Sequence, residues 1–183
     1  MHLKKWEILN STMVINHQWC KVRQDEIELP NGKIIDDYFI NIRPEVVLIL
    51  PITSNDEIVF VCQYRHGAGE ILLELPADTF NPNEESPKTA AIRELKEETG
   101  YIADTVIQLG TLYDNPVKDT NKITLFIAEN VRKAGEQELD VTEEIEVVLI
   151  SIKTLAEKIA SGEISVAGTV AALFLGLTYL NNK

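Results

Sequence analysis

The residues with the most obvious capacity for chemistry lie in one short stretch, Arg93-Glu94-Leu95-Lys96-Glu97-Glu98. Glu94, Glu97 and Glu98 are spaced i, i+3 and i+4, so a helix stacks all three near one face. Like charges placed this way repel by a few tenths of a kcal/mol per pair, roughly, while they remain solvated. Arg93 stands four residues before Glu97 and offsets part of that repulsion. Turned inward, the same carboxylates would cost about several kcal/mol unless a cation compensated them. Hard oxygen ligands of this kind suit Mg²⁺ or Mn²⁺, ions that keep waters and bridge to substrate phosphates. The plain alternative is a solvated acidic helix face, which is common on helix surfaces. The neighbouring residues decide between the two.

The helix that must carry these residues is well signalled. Ser86 is a good N-cap, Pro87 fits the first helical position, and Gly100 stops the helix. Ala90, Ala91 and Leu95 supply its apolar stripe. Upstream the chain reads as strands: a short one at Trp6–Leu9, then an alternating one from Trp19 to Leu29. A turn at Pro30-Asn31-Gly32 leads to a hairpin partner over Ile34–Ile42. Glu45–Pro51 and Glu57–Tyr64 are continuous apolar runs of the kind found in core strands, and Ile71–Leu75 is a third, stopped by Pro76. The polar stretch Asp78–Glu85 reads as a connection. Further strands are expected around Thr105–Leu112, Ile123–Ala128 and Ile145–Ile150, with two helices near Ile152–Ser161 and Val166–Asn181. A mixed sheet with helices packed on it follows, an α/β (α+β) architecture.

At 183 residues the chain suits one compact domain with a small extension. A net charge of −12 argues against a nucleic-acid backbone or an anionic membrane as partner. An acidic protein that acts on phosphates needs a cation. Cys20 and Cys62 form no zinc pattern and are expected as two free, buried thiols in a reducing compartment. The N-terminus has no apolar signal region. Ile164–Leu180 carries no charge and just reaches the lower limit for a membrane span. It is interrupted by Gly, Thr and Ser, lacks basic flanks, and places Ala167, Gly168, Ala171 and Ala172 at helical spacing, as a buried or dimer-packing helix would. A cytoplasmic location is the expectation.

Glu85, seven residues, then Arg93-Glu94-Leu95-x-Glu97-Glu98-x-Gly100-Tyr101 resembles the Nudix box. A chance match to these positions is on the order of one in a million from average residue frequencies. One departure stands out: the leading glycine of the signature falls at Thr79, and neither Asp78 nor Phe80 is glycine. The loop to Glu85 is one residue longer than in similar sequences. Asp tolerates a left-handed backbone better than most residues, so a turn retained at Asp78 is the expectation. Val61-Cys62-Gln63-Tyr64-Arg65-His66-Gly67, Leu73-Glu74-Leu75-Pro76-Ala77 and Asn115-Pro116 ahead of Ile123–Ala128 resemble the ADP-ribose and nucleotide-sugar pyrophosphatase branch. The similarity runs from about Trp6 to about Leu180 and is specific in the box and in Gln63–Ala77.

The resemblance implies a Nudix α/β/α sandwich over residues 44–183. It also implies an antiparallel sheet over residues 1–43 that builds a homodimer, with the active site shared with the partner's N-terminal part. Glu94 and Glu98 match the main metal ligands and Glu97 a further one, Ala77 would offer its carbonyl, and Arg93 matches the arginine that orients the glutamates. Arg65 resembles a phosphate-binding arginine, Trp19 a tryptophan that stacks on adenine, and Tyr38 lies near a second aromatic position. Taken alone, a strand arginine is usually at the surface and a strand aromatic usually in a core or interface. The implied reaction is Mg²⁺-dependent cleavage (Mn²⁺ substituting) of a nucleoside-diphosphate-linked small molecule. ADP-ribose or an ADP-sugar comes first, giving a nucleoside monophosphate and a sugar phosphate. GDP-mannose or a dinucleotide is the alternative within enzymes, and a non-catalytic ADP-ribose sensor the alternative outside them.

A base must take the proton of the attacking water. Asn121 occupies the position where several ADP-ribose enzymes have a glutamate, and Val117 replaces the glycine of that loop. Asp119, Glu143, Glu144 and a box glutamate all remain candidates, although Glu143, Glu144 and Glu146 also read simply as a solvated acidic loop.

Overall fold

The computed structural model describes residues 3–183, and the chain divides into two compact units. The first comprises Met1–Pro44 with Tyr113–Lys122, the second Glu45–Leu112 with Ile123–Lys183.

The first unit is a three-stranded antiparallel meander of β1 (Glu7–His17), β2 (Cys20–Glu28) and β3 (Ile34–Asn41), in that order. Gly32 closes the β2–β3 turn at φ 81°, a left-handed conformation that glycine adopts without a Cβ penalty. β1 is far longer than the four residues expected, because it pairs with β2 from Glu7↔Glu28 to His17↔Cys20. Every residue of β1 is exposed, including Ile8, Leu9, Met13, Val14 and Ile15. Inside the sheet, Asp25 is buried and satisfied by Ser11 Oγ at 2.6 Å and Arg23 Nε at 3.1 Å. The segment Tyr113–Lys122 joins this unit through Asn41 N to Lys118 O (2.8 Å) and Thr120 N to Asn41 O (3.1 Å). Both cysteines are free thiols, but the expectation that both are buried fails. Cys20 is exposed and Cys62 half-buried, since no layer of the unit covers the end of the β1–β2 hairpin.

The second unit is built on an eight-stranded mixed sheet. Its main path runs β11 (Ile145–Ser151), β5 (Glu57–Arg65), β4 (Glu45–Thr53), β10 (Lys122–Lys133), β8 (Tyr101–Ile102). β6 (Glu70–Glu74) pairs with β5, β7 (Ala77–Phe80) with β4, and β9 (Val106–Tyr113) with β10. The β10–β8, β11–β5, β4–β5, β4–β7 and β5–β6 pairs are antiparallel, whereas β4 and β10 run parallel. Both strands are buried on two faces, which is why they read as unbroken apolar runs.

Alternation along β4 sorts the core into two layers. Val47 and Ile49 pack with Val59, Phe126 and Ala90, Ala91 and Leu95 of α1 (Pro87–Thr99). Leu48 and Leu50 pack with Phe60, Leu125, Leu155, Ala172 and Leu173, from α2 (Leu155–Ala160) and α3 (Ala167–Asn181). A sheet between helices on both faces is the α/β/α sandwich expected. The uncharged segment at the C-terminus is α3, partly buried in the second layer. Among the described residues, no helix is long and apolar enough to cross a membrane.

Candidate active site

Local rules set α1 in place. Ser86 is extended (φ −77°, ψ 153°) and its hydroxyl accepts from Thr89 N, while Pro87 occupies the first turn. At the other end Gly100 is left-handed at φ 70°, and its N–H bonds to Lys96 O at 2.7 Å. Gly100 O then accepts from Ala134 N (2.9 Å) and Gly135 N (3.2 Å), and a Cβ on Gly100 would meet Gly135 O. With both ends fixed, Ala90, Ala91 and Leu95 enter the core and carry Glu94 and Glu98 inward with them.

Both carboxylates are 3% exposed, whereas Glu97 is half-buried. Arg93 gathers the acidic face: its Nη1 donates to Glu94 (3.0 Å) and Glu97 (2.7 Å), and its Nη2 to Glu85 (3.0 Å). Glu85 reaches this position through the turn after β7, where Glu84 N and Glu85 N donate to Asn81 O at 3.0 and 3.1 Å. Glu98 Oε2 accepts from Ala77 N at 3.2 Å, so the start of β7 lies against the helix.

The turn expected at Asp78 is absent. Asp56 and Asn130 are the non-glycine residues with positive φ, and Asp78–Thr79 runs on as β7, with Val47↔Asp78 and Val46↔Thr79. Long-range pairing with β4 overrides the polar local sequence. Alternation in β7 puts Asp78 on the same side as Phe80, which packs in the α1 layer. Asp78 therefore adds a fourth carboxylate beside Glu94, a feature that the sequence presents only as a missing glycine.

The electrostatic outcome is unusual. Burial, then the charge of Asp78, push the Glu94 carboxyl up to about 8 despite the favourable pull of Arg93. Burial and the charge of Glu94 push Glu98 up to about 9, against the hydrogen bond from Ala77 and the charge of Arg65. Glu143 raises both. Two buried carboxyls held so far above their ordinary range mark a place short of positive charge. The donor set is all hard oxygen and fits a divalent cation such as Mg²⁺ better than a soft metal. Glu94 and Glu98 are the groups that could hold it, with Glu97 and the Ala77 backbone beside them. Glu94 meets Arg93 and Glu98 the Ala77 N–H, and among the described residues no three acidic, histidine or cysteine side chains are already arranged around one metal position.

Strand β5 supplies the facing wall. Its alternation places Val59, Val61, Gln63 and Arg65 on the α1 side of the sheet. Arg65 Nε pairs with buried Glu74 at 2.6 Å. Gln137 ties the last turn of α1 to β11, since its Nε2 donates to Glu98 O (2.6 Å) and Ile145 O (3.2 Å). Of the acidic loop, Glu144 and Glu146 are exposed as a solvated segment should be. Glu143 is half-buried, accepts from Asp140 N at 2.9 Å, and acts on both buried glutamates.

The remaining sequence candidates belong to the first unit. Trp19 lies in the β1–β2 turn rather than on a strand and is 85% exposed. Tyr38 donates to Val117 O at 3.1 Å and meets the Trp6 ring edge-on at 5.7 Å, lining a cleft with Lys5, Arg23 and Ile40. Asp119 is occupied by Asn41 Nδ2 at 2.7 Å and by Arg43 at 3.8 Å. Asn121 is buried with neither side-chain polar atom hydrogen-bonded.

The NUDIX domain profile matches residues 42–167, and the profile of the nucleoside diphosphate sugar hydrolase N-terminal domain matches residues 6–41. This protein belongs to the Nudix hydrolase family, whose members generally use divalent cations. It is 31% identical to an ADP-ribose pyrophosphatase of Bacillus subtilis, over 81% of this chain and 80% of that protein. It is 27% identical to the ADP compounds hydrolase NudE of Escherichia coli, over 99% and 96%. A crystal structure of an ADP compounds hydrolase superposes with a TM-score of 0.88 at 27% identity, covering 100% of this chain and 97% of that one.

Proposed function

We propose that this enzyme hydrolyses the diphosphate bond of an ADP-linked small molecule, ADP-ribose or an ADP-sugar first, giving AMP and a sugar phosphate with Mg²⁺ as cofactor. The observation that carries this reading is the buried Glu94–Glu98 pair on a helix whose flanks, Glu85 and Gly100, are themselves engaged as the box requires. The names of the relatives support an ADP-containing substrate.

When bound, Mg²⁺ would neutralise diphosphate charge and acidify a water for in-line attack. Glu94 and Glu98 would hold the ion, with Glu97 as a further ligand and the Ala77 carbonyl beside them. Arg93 keeps the three glutamates in register. Arg65 binds a phosphate oxygen, exchanging part of its pairing with Glu74 for a charge-assisted contact. Glu143 would take the proton from water: of Glu143 and Glu144 it is the half-buried one, and its charge acts on both Glu94 and Glu98. Trp19 and Tyr38 serve the base of the nucleotide. The enzyme works as a cytoplasmic homodimer, formed by residues 1–43 through the exposed apolar face of β1, with residues 44–183 as the hydrolase domain.

The test is product release from a panel of ADP-ribose, ADP-glucose, GDP-mannose and diadenosine diphosphate, with and without Mg²⁺. Mg²⁺-dependent AMP release from ADP-ribose, faster than product release from the other three, is expected. Binding of ADP-ribose without turnover would instead identify a sensor.

A further inference from the structure

Gln63 is 7% exposed, and its Nε2 has no hydrogen-bond partner among the protein atoms. A buried amide donor left without an acceptor is costly, and such groups in folded proteins have a reason to be there. Its place narrows the reason. Gln63 lies on the α1 side of β5, between Val61 and Arg65, in unbroken register with Leu72 of β6 and Ile145 of β11. Ile145 O and Glu98 O share the Gln137 Nε2 donor, so the strand beside Gln63 is one side chain from the carboxylate helix. Arg65, two residues on, lies close enough for its charge to act on Glu98. Positions i and i+2 of a strand are about 7 Å apart on one face, a spacing from which two long side chains can converge on neighbouring phosphoryl groups. An amide N–H is a donor only, so what it lacks is an acceptor, and a metal ion cannot supply one.

We propose that Gln63 is a substrate-positioning residue whose Nε2 donates to a diphosphate oxygen beside Arg65. This rests on the diphosphate reading of the site given above.

The experiment compares the full-length wild type with Gln63→Met and Gln63→Glu. It measures thermal unfolding without ligand and calorimetric binding of α,β-methylene ADP-ribose in Mg²⁺. Gln63→Met keeps the volume and removes the donor. We expect it to unfold no earlier than wild type, since no protein partner is lost, and to bind the analogue about tenfold more weakly. With ADP-ribose, KM should rise by a similar factor while kcat changes little, the pattern of a contact made equally in ground and transition states. Analogue affinity within about twofold of wild type overturns the proposal, whether or not the unfolding midpoint falls. Should Gln63→Met not fold, Gln63→Glu decides the matter. It has the same shape with an acceptor in place of the donor, and undiminished binding by it overturns the proposal. A wild type that fails to bind the analogue removes the diphosphate reading itself, and the role of Gln63 with it.

Discussion

The N–H of Ala77 donates to Glu98 Oε2 at 3.2 Å, tying the first residue of β7 to the last turn of α1. That bond, with the charge of Arg65, works against burial and the charges of Glu94 and Glu143, which push Glu98 above its ordinary range. Each buried glutamate leans on a donor within reach, Glu98 on the Ala77 N–H and Glu94 on Arg93.

Metal-free stability should therefore fall as pH rises. Glu94 and Glu98 ionise near 8 and 9 when folded but in the ordinary range near 4.5 when unfolded. Between those values the folded state holds more protons than the unfolded one, so stability is greatest below about pH 4.5 for these groups and declines up to about pH 9. We expect the unfolding midpoint in EDTA to drop by roughly 5 °C or more from pH 5.5 to 8.5. Mg²⁺ should restore most of that loss at pH 8.5 and little at pH 5.5. A midpoint that does not fall over this range in EDTA contradicts the burial argument.

Asp78→Asn removes the neighbouring charge that acts most strongly on Glu94. The metal-free variant should unfold later than wild type at pH 8, by about 2 °C or more, and bind Mg²⁺ several-fold more weakly. Tighter Mg²⁺ binding, measured by calorimetry or by Mn²⁺ competition, would show that Asp78 faces elsewhere.

Gly100→Ala places a Cβ at φ 70° against Gly135 O. A left-handed alanine costs about 1–2 kcal/mol before any clash, and the backbone shift adds to it. Chemical denaturation should register at least about 2 kcal/mol of lost stability. Since the helix end carries Glu98, activity should fall with it.

β1 leaves Met13 at 42% and Ile15 at 47% exposure on a sheet that has little core of its own. Light scattering of the wild type should give a dimer mass, and Met13→Glu with Ile15→Glu should give a monomer. An unchanged dimer in the double variant would place the interface elsewhere.

The parts of the fold that were legible in the sequence are those set by local chemistry. Ser86, Pro87 and Gly100 delimit α1, and the apolar runs of β4 and β5 announce a two-sided core. What the sequence hid depends on pairing across distance. Asp78 and Thr79 are polar and read as loop, yet become strand because β4 offers an edge to pair with. β1 read only as the short strand Trp6–Leu9, because both of its faces are exposed and leave no period to extend it to His17. Gln63 read as part of a family signature, and only the layering of the sheet reveals that its amide is buried without a partner.

The most direct measurement is ADP-ribose hydrolysis in Mg²⁺ by wild type and by Glu97→Gln/Glu98→Gln, with thermal unfolding confirming that the variant is folded. The site described here predicts AMP release by wild type that is abolished by EDTA and reduced by at least about a hundredfold in the variant. Equal AMP release by the two proteins would place the chemistry outside the α1 carboxylates and contradict the account.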